Sequence, residues 1–354
     1  MPELRRDPIL GRWNIIAAER AARPSDFKHE VTQVKGGFCP FDYGHEDKTP
    51  PEILAYRDAK SSPNTPGWRV RVVPNKYPAL RIEGSLDKKG VGMYDRMQGI
   101  GAHEVIIETP EHVVSSANLP VEQFTDVIRA YKERLTDLSH DKRFKFGIVF
   151  KNVGSAAGAS LEHTHSQLIV TPVVPNVTVR ELRGSMEYYN FRGRCIFCDI
   201  ARQEREIGTR VIIDDPDFLV FEPFASRFPF ETWIIPTRHD SQFERITAHE
   251  MRRLADVMLD TLKRLESTLE GPPYNYIIHS GPFDPHDAEV FRGDVGPAPL
   301  DETGAGLEHY HWHIEIIPRL TKVAGFEWGT GLYINPVPPE TCAEYLREAK
   351  VPGV

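Results

Sequence analysis

An α+β fold made of two tandem copies of one unit is what this 354-residue sequence predicts. Three observations carry that expectation. The length exceeds the usual span of one hydrophobic core. A histidine-bearing segment recurs in the second half, and helical stripes alternate with strand-like runs in the same order in both halves. The recurring segment is Gly158-Ala-Ser-Leu-Glu-His-Thr-His-Ser-Gln167, matched by Gly304-Ala-Gly-Leu-Glu-His-Tyr-His-Trp-His313 at Gly, Ala, Leu, Glu and both His residues.

The elements that precede it recur as well. Cys39-Pro-Phe-Asp42 opens the first half as Cys195-Ile-Phe-Cys198 opens the second. An apolar strand, a proline and a histidine follow each, in Glu104-Val-Ile-Ile-Glu-Thr-Pro-Glu-His112 and Thr232-Trp-Ile-Ile-Pro-Thr-Arg-His239. Next comes a helix with one apolar stripe, read from Phe124, Val127, Ile128, Tyr131, Leu135 and Leu138, and from Met251, Leu254, Met258, Leu262, Leu265 and Leu269. Both helices should lie against a sheet. The aromatic and β-branched runs Phe144 to Lys151 and Tyr274 to His279 have strand character, and each leads through a glycine-containing loop to its histidines. The expected units are residues 1–185 and 186–354, joined around Val173 to Arg194.

Composition narrows the function classes. Hydrophobic residues make up 40% and charged residues 27%, ordinary for a globular protein. The formal net charge is −8, with no dense run of Lys and Arg, so nucleic acid is not the expected partner. The start, Met-Pro-Glu-Leu-Arg-Arg, has no apolar signal core, and no stretch reaches the length of a membrane span, so the expected location is cytoplasmic, without a membrane partner. Two of the four cysteines form a Cys-x-x-Cys, which points to metal or redox chemistry before a disulfide framework.

His163 and His165 alternate along a segment ending in Gln167-Leu-Ile-Val-Thr-Pro, so in a strand they share one face. Upstream, Asn152-Val-Gly-Ser-Ala-Ala-Gly-Ala-Ser160 has the small residues that let backbone N–H groups approach phosphate oxygens. Such a pair alone could equally be a metal site or a structural pair. A neutral imidazole, however, can attack an α-phosphate at neutral pH without prior deprotonation. Ser160 and Gln167 are neutral donors able to stabilise the charge that develops. The second copy has Gly306 and His313 at those places and Trp312 in place of Ser166, so His165 is preferred over His311 as nucleophile.

Cys195, Cys198, His239 and His309 form a set suited to closed tetrahedral Zn2+, the alternative being a reduced cysteine pair with unrelated histidines. By the repeat, the first-half set is Cys39, Asp42, His112 and His163, with one thiolate fewer and His45 as a possible replacement for Asp42. Cys342 has no partner pattern.

With these residues in place, the chain resembles the galactose-1-phosphate uridylyltransferases and their relatives the ADP-glucose phosphorylases, in the histidine-triad superfamily, over almost its whole length. The hallmark Asn-x-Gly-x-x-x-Gly-x-Ser loop followed by His-x-His-x-Gln is matched by Asn152, Gly154, Gly158, Ser160, His163, His165 and Gln167. Arg20, Arg23 and Asn75 resemble the family's nucleotide-site and phosphate-site residues, although the two arginines also read as solvated surface charges. The resemblance implies two histidine-triad-like domains, each an antiparallel half-barrel sheet packed with helices. It also implies a homodimer and a ping-pong reaction in which His165 carries a nucleoside monophosphate from a nucleotide sugar to a second acceptor. Phe326 and Trp328, in Gly325-Phe-Glu-Trp-Gly-Thr-Gly331, are the corresponding sugar-phosphate candidates; a structural turn is the alternative there.

The family's best-known members read His-Pro-His-Gly-Gln, whereas this chain has Thr164 and Ser166. Transfer between UDP-glucose and a hexose 1-phosphate, as in galactose metabolism, is the first expectation. ADP-glucose phosphorolysis is the second, and a histidine-triad hydrolase using water the third.

Overall fold

The computed structural model describes residues 1–18, 23–27, 36–285, 287 and 307–351. In chain order the strands of the first half are β1 Glu3–Arg6, β2 Trp13–Ile16, β3 Leu54–Arg57, β4 Trp68–Pro74, β5 Lys89–Val91, β6 Tyr94–Arg96 and β7 Ala102–Ile107. Helix α1 (Val121–Ser139), β8 (Phe146–Val153) and β9 (His165–Thr171) complete it. Helices α2 (Asn176–Arg192) and α3 (Ile196–Ile207) lead into β10 Val211–Asp214, β11 Phe218–Phe221 and β12 Thr232–Pro236. Then come α4 (Ala248–Leu269), β13 (Tyr274–His279), β14 (His313–Pro318), α5 (Gly325–Thr330), β15 (Ile334–Asn335) and α6 (Pro339–Glu348).

Ten strands form one antiparallel sheet in the order β10-β11-β12-β14-β13-β8-β9-β7-β4-β3. Each half supplies five, and they meet where β8 pairs with β13, Val153 opposite Tyr274 and Val149 opposite Ile278. The order reads alike outward from that seam, β8-β9-β7-β4-β3 on one side and β13-β14-β12-β11-β10 on the other. The duplicated halves therefore share one sheet, because the β8 and β13 edges satisfy each other's backbone groups.

Strand alternation sorts side chains to two faces. Val72, Ile106, Leu168, Val170, Ile234 and Ile314 point into the largest apolar cluster, beneath α1 and α4, which also pack on one another. Thr247 caps α4 with a reciprocal bond to Glu250, worth about 1 kcal/mol. The opposite face carries Val105 and Ile107 against Cys39 and Phe41, and Leu219, Phe221 and Trp233 against Phe197 of α3. His165 and Gln167 alternate with Ser166 and Leu168, so they lie on this second face.

Helix α2 fills most of the segment around Val173 to Arg194, where the connection between the halves was expected. It packs tightly on the N-terminal segment: a Cβ at Gly184 would stand 1.8 Å from the Ile9 carbonyl oxygen, so only glycine fits. Gly325–Thr330 is a short helix, not an open turn. Among the described residues no helix is long and apolar enough to cross a membrane.

Candidate active site

The histidine strand β9 is clamped between β7 and β8, with His165 opposite Ile107 and Gln167 opposite both Val105 and Phe150. His165 is 9% exposed, and its Nδ1 lies 2.7 Å from the His163 carbonyl oxygen. A carbonyl can only accept, so the proton sits on Nδ1 and Nε2 keeps its lone pair. Burial drives the imidazole pKa down to about 4, so the ring is neutral at pH 7. A neutral ring with a directed lone pair is the state a nucleophile needs.

The backbone behind His165 rests on a buried polar network. Lys151 Nζ donates to Glu108 Oε2 (2.8 Å), Thr164 Oγ1 (2.7 Å) and the His165 carbonyl oxygen (3.1 Å). Burial opposes ionisation of Glu108, but the Lys151 ammonium and the Thr164 and Ser116 hydroxyls outweigh it and hold the carboxyl below its ordinary range. Ser166 Oγ lies 2.6 Å from the Tyr131 hydroxyl, itself 2.7 Å from that of Tyr276 on β13. Thr164, just before β9, and Ser166 on it, the two departures from the family motif, thus join the His165 carbonyl in tying the strand into this network.

On the open face, Gln167 Oε1 lies 2.8 Å from His103 Nε2, and the Ala79 N–H donates to His103 Nδ1 over 3.2 Å. The Nε2–H therefore donates to Gln167 Oε1, leaving the Gln167 NH2 to face a ligand. Asn75 Nδ2 lies 3.1 Å from the same His103 nitrogen, and the Asn75 N–H donates to the His103 carbonyl over 2.8 Å. The structure thus joins Asn75 and Gln167 through His103, which the sequence analysis did not single out, on the strand face that also carries His165.

The glycine loop turns on Gly154 and Gly158, whose φ values of 81° and 90° favour glycine. Asn275 Nδ2, from the second half, donates to Asn152 Oδ1 (2.7 Å) and the Ala157 carbonyl (2.9 Å) and so braces the loop. Ser160 is exposed at its end. A cleft of about 830 Å³ runs from Ser155 and Ala156 to Arg319, Lys322 and Trp328. Trp328 therefore faces the loop; Phe326, 44% exposed, is not among the residues lining the cleft. Arg319 and Lys322 are cations the sequence analysis passed over. Arg23 is exposed beside a short 3-10 helix, and Arg20 lies outside the described residues, as do Gly304 to Gly306 of the repeat.

Two ligand quartets flank this face, each with its donor atoms within 4.8 Å of one another. Cys39, Asp42, His112 and His163 form the first, as the repeat predicted. Asp42 Oδ1 lies 2.6 Å from His112 Nδ1 and 3.0 Å from His163 Nδ1, while His163 Nε2 donates to the Thr109 carbonyl over 2.8 Å. That bond leaves Nδ1 as the ligating nitrogen. His45 Nδ1 is turned to the Cys39 carbonyl at 2.7 Å, outside the quartet.

The second quartet is Cys195, Cys198, His239 and His311, which corrects the expectation of His309. His309 lies instead against the Tyr189 ring. His311 and His239 each place Nδ1 3.4 Å from Cys198 Sγ, close to the spacing of about 3.5 Å between ligands of tetrahedral Zn2+. Cys195 donates to Cys198, which with the two imidazoles holds the Cys198 thiol well below its ordinary range.

The repeat is therefore displaced by two residues at its end. His311 takes the place of His163, and His313 takes that of His165, with the same Nδ1 bond to the carbonyl two residues back, at 3.1 Å. Glu315 opposite Trp233 corresponds to Gln167 opposite Val105. His313 is stacked between Trp233 (4.9 Å) and His279 (4.7 Å), which leaves no room for a phosphate over its ring. Glu181, His279, His313 and Glu315 form a third cluster, overlooked in the sequence. There Glu181 and Glu315 overcome the burial of His279 and raise it to about 9, and Arg227 pairs with Glu315 and Glu231.

Comparison with known proteins places this geometry. The family model "Galactose-1-phosphate uridyl transferase, N-terminal domain" matches residues 1–175. ADP-glucose phosphorylase of Arabidopsis thaliana is 35% identical over 99% of this chain and 93% of its own length. Galactose-1-phosphate uridylyltransferase of Thermotoga maritima is 26% identical over 99% of each chain. Among solved structures, the Arabidopsis thaliana ADP-glucose phosphorylase with bound ADP-glucose superposes with a TM-score of 0.79 at 33% identity, covering 99% of this chain and 100% of that one. A uridylyltransferase structure matches with a TM-score of 0.70 at 26% identity, covering 98% and 97%. The full-length match, together with a neutral, directed histidine beside a glycine loop, makes this chain a member of the galactose-1-phosphate uridylyltransferase family of nucleotidyltransferases.

Proposed function

We propose that the protein moves a nucleoside monophosphate from a nucleotide sugar to a phosphate-bearing acceptor through a covalent intermediate on His165. The carrying observation is the Nδ1 bond to the His163 carbonyl, which leaves Nε2 as the attacking nitrogen. Nε2 forms a bond to the α-phosphorus, the bond from that phosphorus to the leaving phosphate oxygen breaks, and the sugar 1-phosphate departs. The acceptor oxygen then attacks the same phosphorus and the N–P bond breaks, which regenerates the neutral imidazole. The Gln167 amide, Ser160 and the loop from Asn152 through Gly154 to Gly158 donate to the phosphoryl oxygens. Asn75 and the arginines Arg20 and Arg23 are assigned to the nucleotide and its phosphates; Trp328, with Phe326 nearby, is assigned to the sugar side.

ADP-glucose is the proposed donor and inorganic phosphate the acceptor. The Arabidopsis thaliana phosphorylase shares more of its sequence with this chain than does the Thermotoga maritima uridylyltransferase, and Thr164 and Ser166 are anchored in a network that Pro and Gly could not join. Uridylyl transfer between UDP-glucose and a hexose 1-phosphate is the second reading, supported by that relative. Zn2+ is proposed for both quartets in a structural role, with Cys195, Cys198, His239 and His311 the stronger set because it supplies two sulfur ligands. The protein is proposed to act as a homodimer of two-domain chains divided at residue 185, and the apolar residues Val91, Met93 and Tyr94, exposed on the β5–β6 hairpin, suit a protein contact.

The test uses ADP-glucose and UDP-glucose labelled at the α-phosphate, each with phosphate or galactose 1-phosphate. An acid-labile protein adduct from ADP-glucose, discharged by phosphate as ADP, is expected. Discharge only from UDP-glucose to galactose 1-phosphate selects the second reading. Steady release of nucleoside monophosphate without acceptor would replace both with hydrolysis.

A further inference from the structure

The pseudo-symmetry of the sheet exposes a second pocket. Next to His165, Val105 lies opposite Gln167, Val73 lies opposite Val105, and Asn75 follows Val73 by two residues. In the second half Trp233 lies opposite Glu315, Phe221 lies opposite Trp233, and Pro223 follows Phe221 by two. Pro223 thus stands where Asn75 does, and Glu231 where His103 does. A cavity of about 220 Å³ lies at this place, walled by Phe221, Pro223, Phe224 and Trp233 from the sheet side, by Ile200 and Gln203 of α3, and by Ile9 and Arg12 of the N-terminal segment.

Two of its lining residues carry a buried donor with no acceptor among the described residues, the Trp233 indole N–H and the Arg12 Nε–H. Leaving such groups unpaired is destabilising, and a buried indole N–H normally finds a partner. Phe221, Phe224, Trp233 and Ile200 form the cavity's apolar part, which suits a flat ring, and the unpaired donors call for hydrogen-bond acceptors on that ring. The cavity is smaller than common ligand pockets of roughly 300–1,000 Å³, too small for a nucleotide sugar. The route a phosphate would take is closed, since His313 is stacked between Trp233 and His279 and Arg227 is committed to Glu231 and Glu315. Asp7, Glu204 and Glu231 line the cavity beside Arg6 and Arg12, so no cationic field remains to draw an anion.

We propose that this cavity is a second binding site, distinct from the His165 site, for an uncharged nucleobase or nucleoside whose ring lies against Phe221 and Phe224 and whose acceptors meet Trp233 and Arg12. The comparison of the halves rests on Asn75 marking the nucleoside side of the His165 site; the cavity and its two unpartnered donors do not.

Calorimetry with adenosine and uridine tests it, using full-length His165→Ala protein saturated with ADP-glucose and UDP-glucose so that the first site is filled. One nucleoside per chain is expected to bind still. Gln203→Trp, an exposed position at the cavity wall, should weaken that binding at least tenfold, and Trp233→Phe, which removes only the donor and part of the ring, about threefold to tenfold. Nucleotide-sugar binding should be unchanged in Gln203→Trp. Absence of nucleoside binding under saturation, or binding indifferent to both substitutions, overturns the proposal. Should neither nucleotide sugar bind while adenosine or uridine binding remains sensitive to Gln203→Trp, the proposed reaction fails and the second site stands.

Discussion

His165 donates from Nδ1 to the carbonyl oxygen of His163 over 2.7 Å, so one residue of the first metal quartet sets the tautomer of the proposed nucleophile. Replacing His165 by Ala removes the group proposed to form the N–P bond. The labelled adduct should vanish and turnover should fall by roughly 10³-fold or more, in line with losses of covalent nucleophiles. His313→Ala is the internal control: its ring makes the same bond but is shut in by Trp233 and His279. An adduct that survives His165→Ala would place the nucleophile elsewhere.

Gln167 is aimed by His103. Without the 2.8 Å bond from the His103 ring, the amide can rotate its oxygen toward the phosphate and repel it. His103→Leu should lower kcat about tenfold to a hundredfold, less than the roughly 10²–10³ that follows complete loss of a transition-state donor. KM for the nucleotide sugar should change less than kcat. Steady-state kinetics on His103→Leu measures both parameters, and equal kcat in His103→Leu and the native protein would remove His103 from the site.

Metal content decides the register of the second quartet. His311→Ala should lose one equivalent of bound zinc by elemental analysis, while His309→Ala should retain it, because His309 packs on Tyr189. Loss of a closed structural site also destabilises the fold around it, so His311→Ala should melt several degrees lower. The opposite pattern of zinc loss would restore the register read from the sequence.

That two-residue displacement shows where legibility ended. His309, His311 and His313 repeat at every second position, so two alignments place a His-x-His on the strand, and the loop identities Gly304, Ala305, Leu307 and Glu308 favour the wrong one. The sheet settles it, because Glu315 pairs with Trp233 as Gln167 pairs with Val105. Helix α4 was legible from the spacing of Met251 to Leu269, and β13 spans the expected Tyr274–His279. Helix α2 was not, since Thr178, Glu181 and Ser185 are three of its four buried residues and leave no apolar stripe. His103 and Asn275 carry no motif; each acts on a residue brought near only by strand pairing.

The Lys151–Glu108 pair is sealed, with side chains 1% and 0% exposed. Lys151→Met should cost about 3–5 kcal/mol, because it strands a buried carboxylate. The double variant Lys151→Met/Glu108→Gln should recover much of that loss. Urea denaturation of the single and double variants measures the difference. A single substitution costing under about 1 kcal/mol would mean that water reaches Glu108.

Glu244 supplies a pH signature of stability away from the metal quartets. Burial raises its carboxyl from 4.5 to about 7, against smaller opposing contributions from its own backbone, the Ser280 hydroxyl 3.4 Å away and Arg245, and with Asp240 adding to the rise. In the unfolded chain the group ionises near 4.5, so between 4.5 and about 7 the native state holds more protons. Stability contributed by this site therefore falls as pH rises through that window, and the loss is complete above it. A displacement of that size would be worth roughly 3 kcal/mol in a sealed site, but Glu244 keeps partial contact with water, which reduces the expectation to about 1–2 kcal/mol. Glu244→Gln cannot ionise, so its stability relative to the native protein should rise by that amount between pH 4 and pH 8 in urea titrations. A difference that stays constant with pH would show that Glu244 ionises normally in the fold.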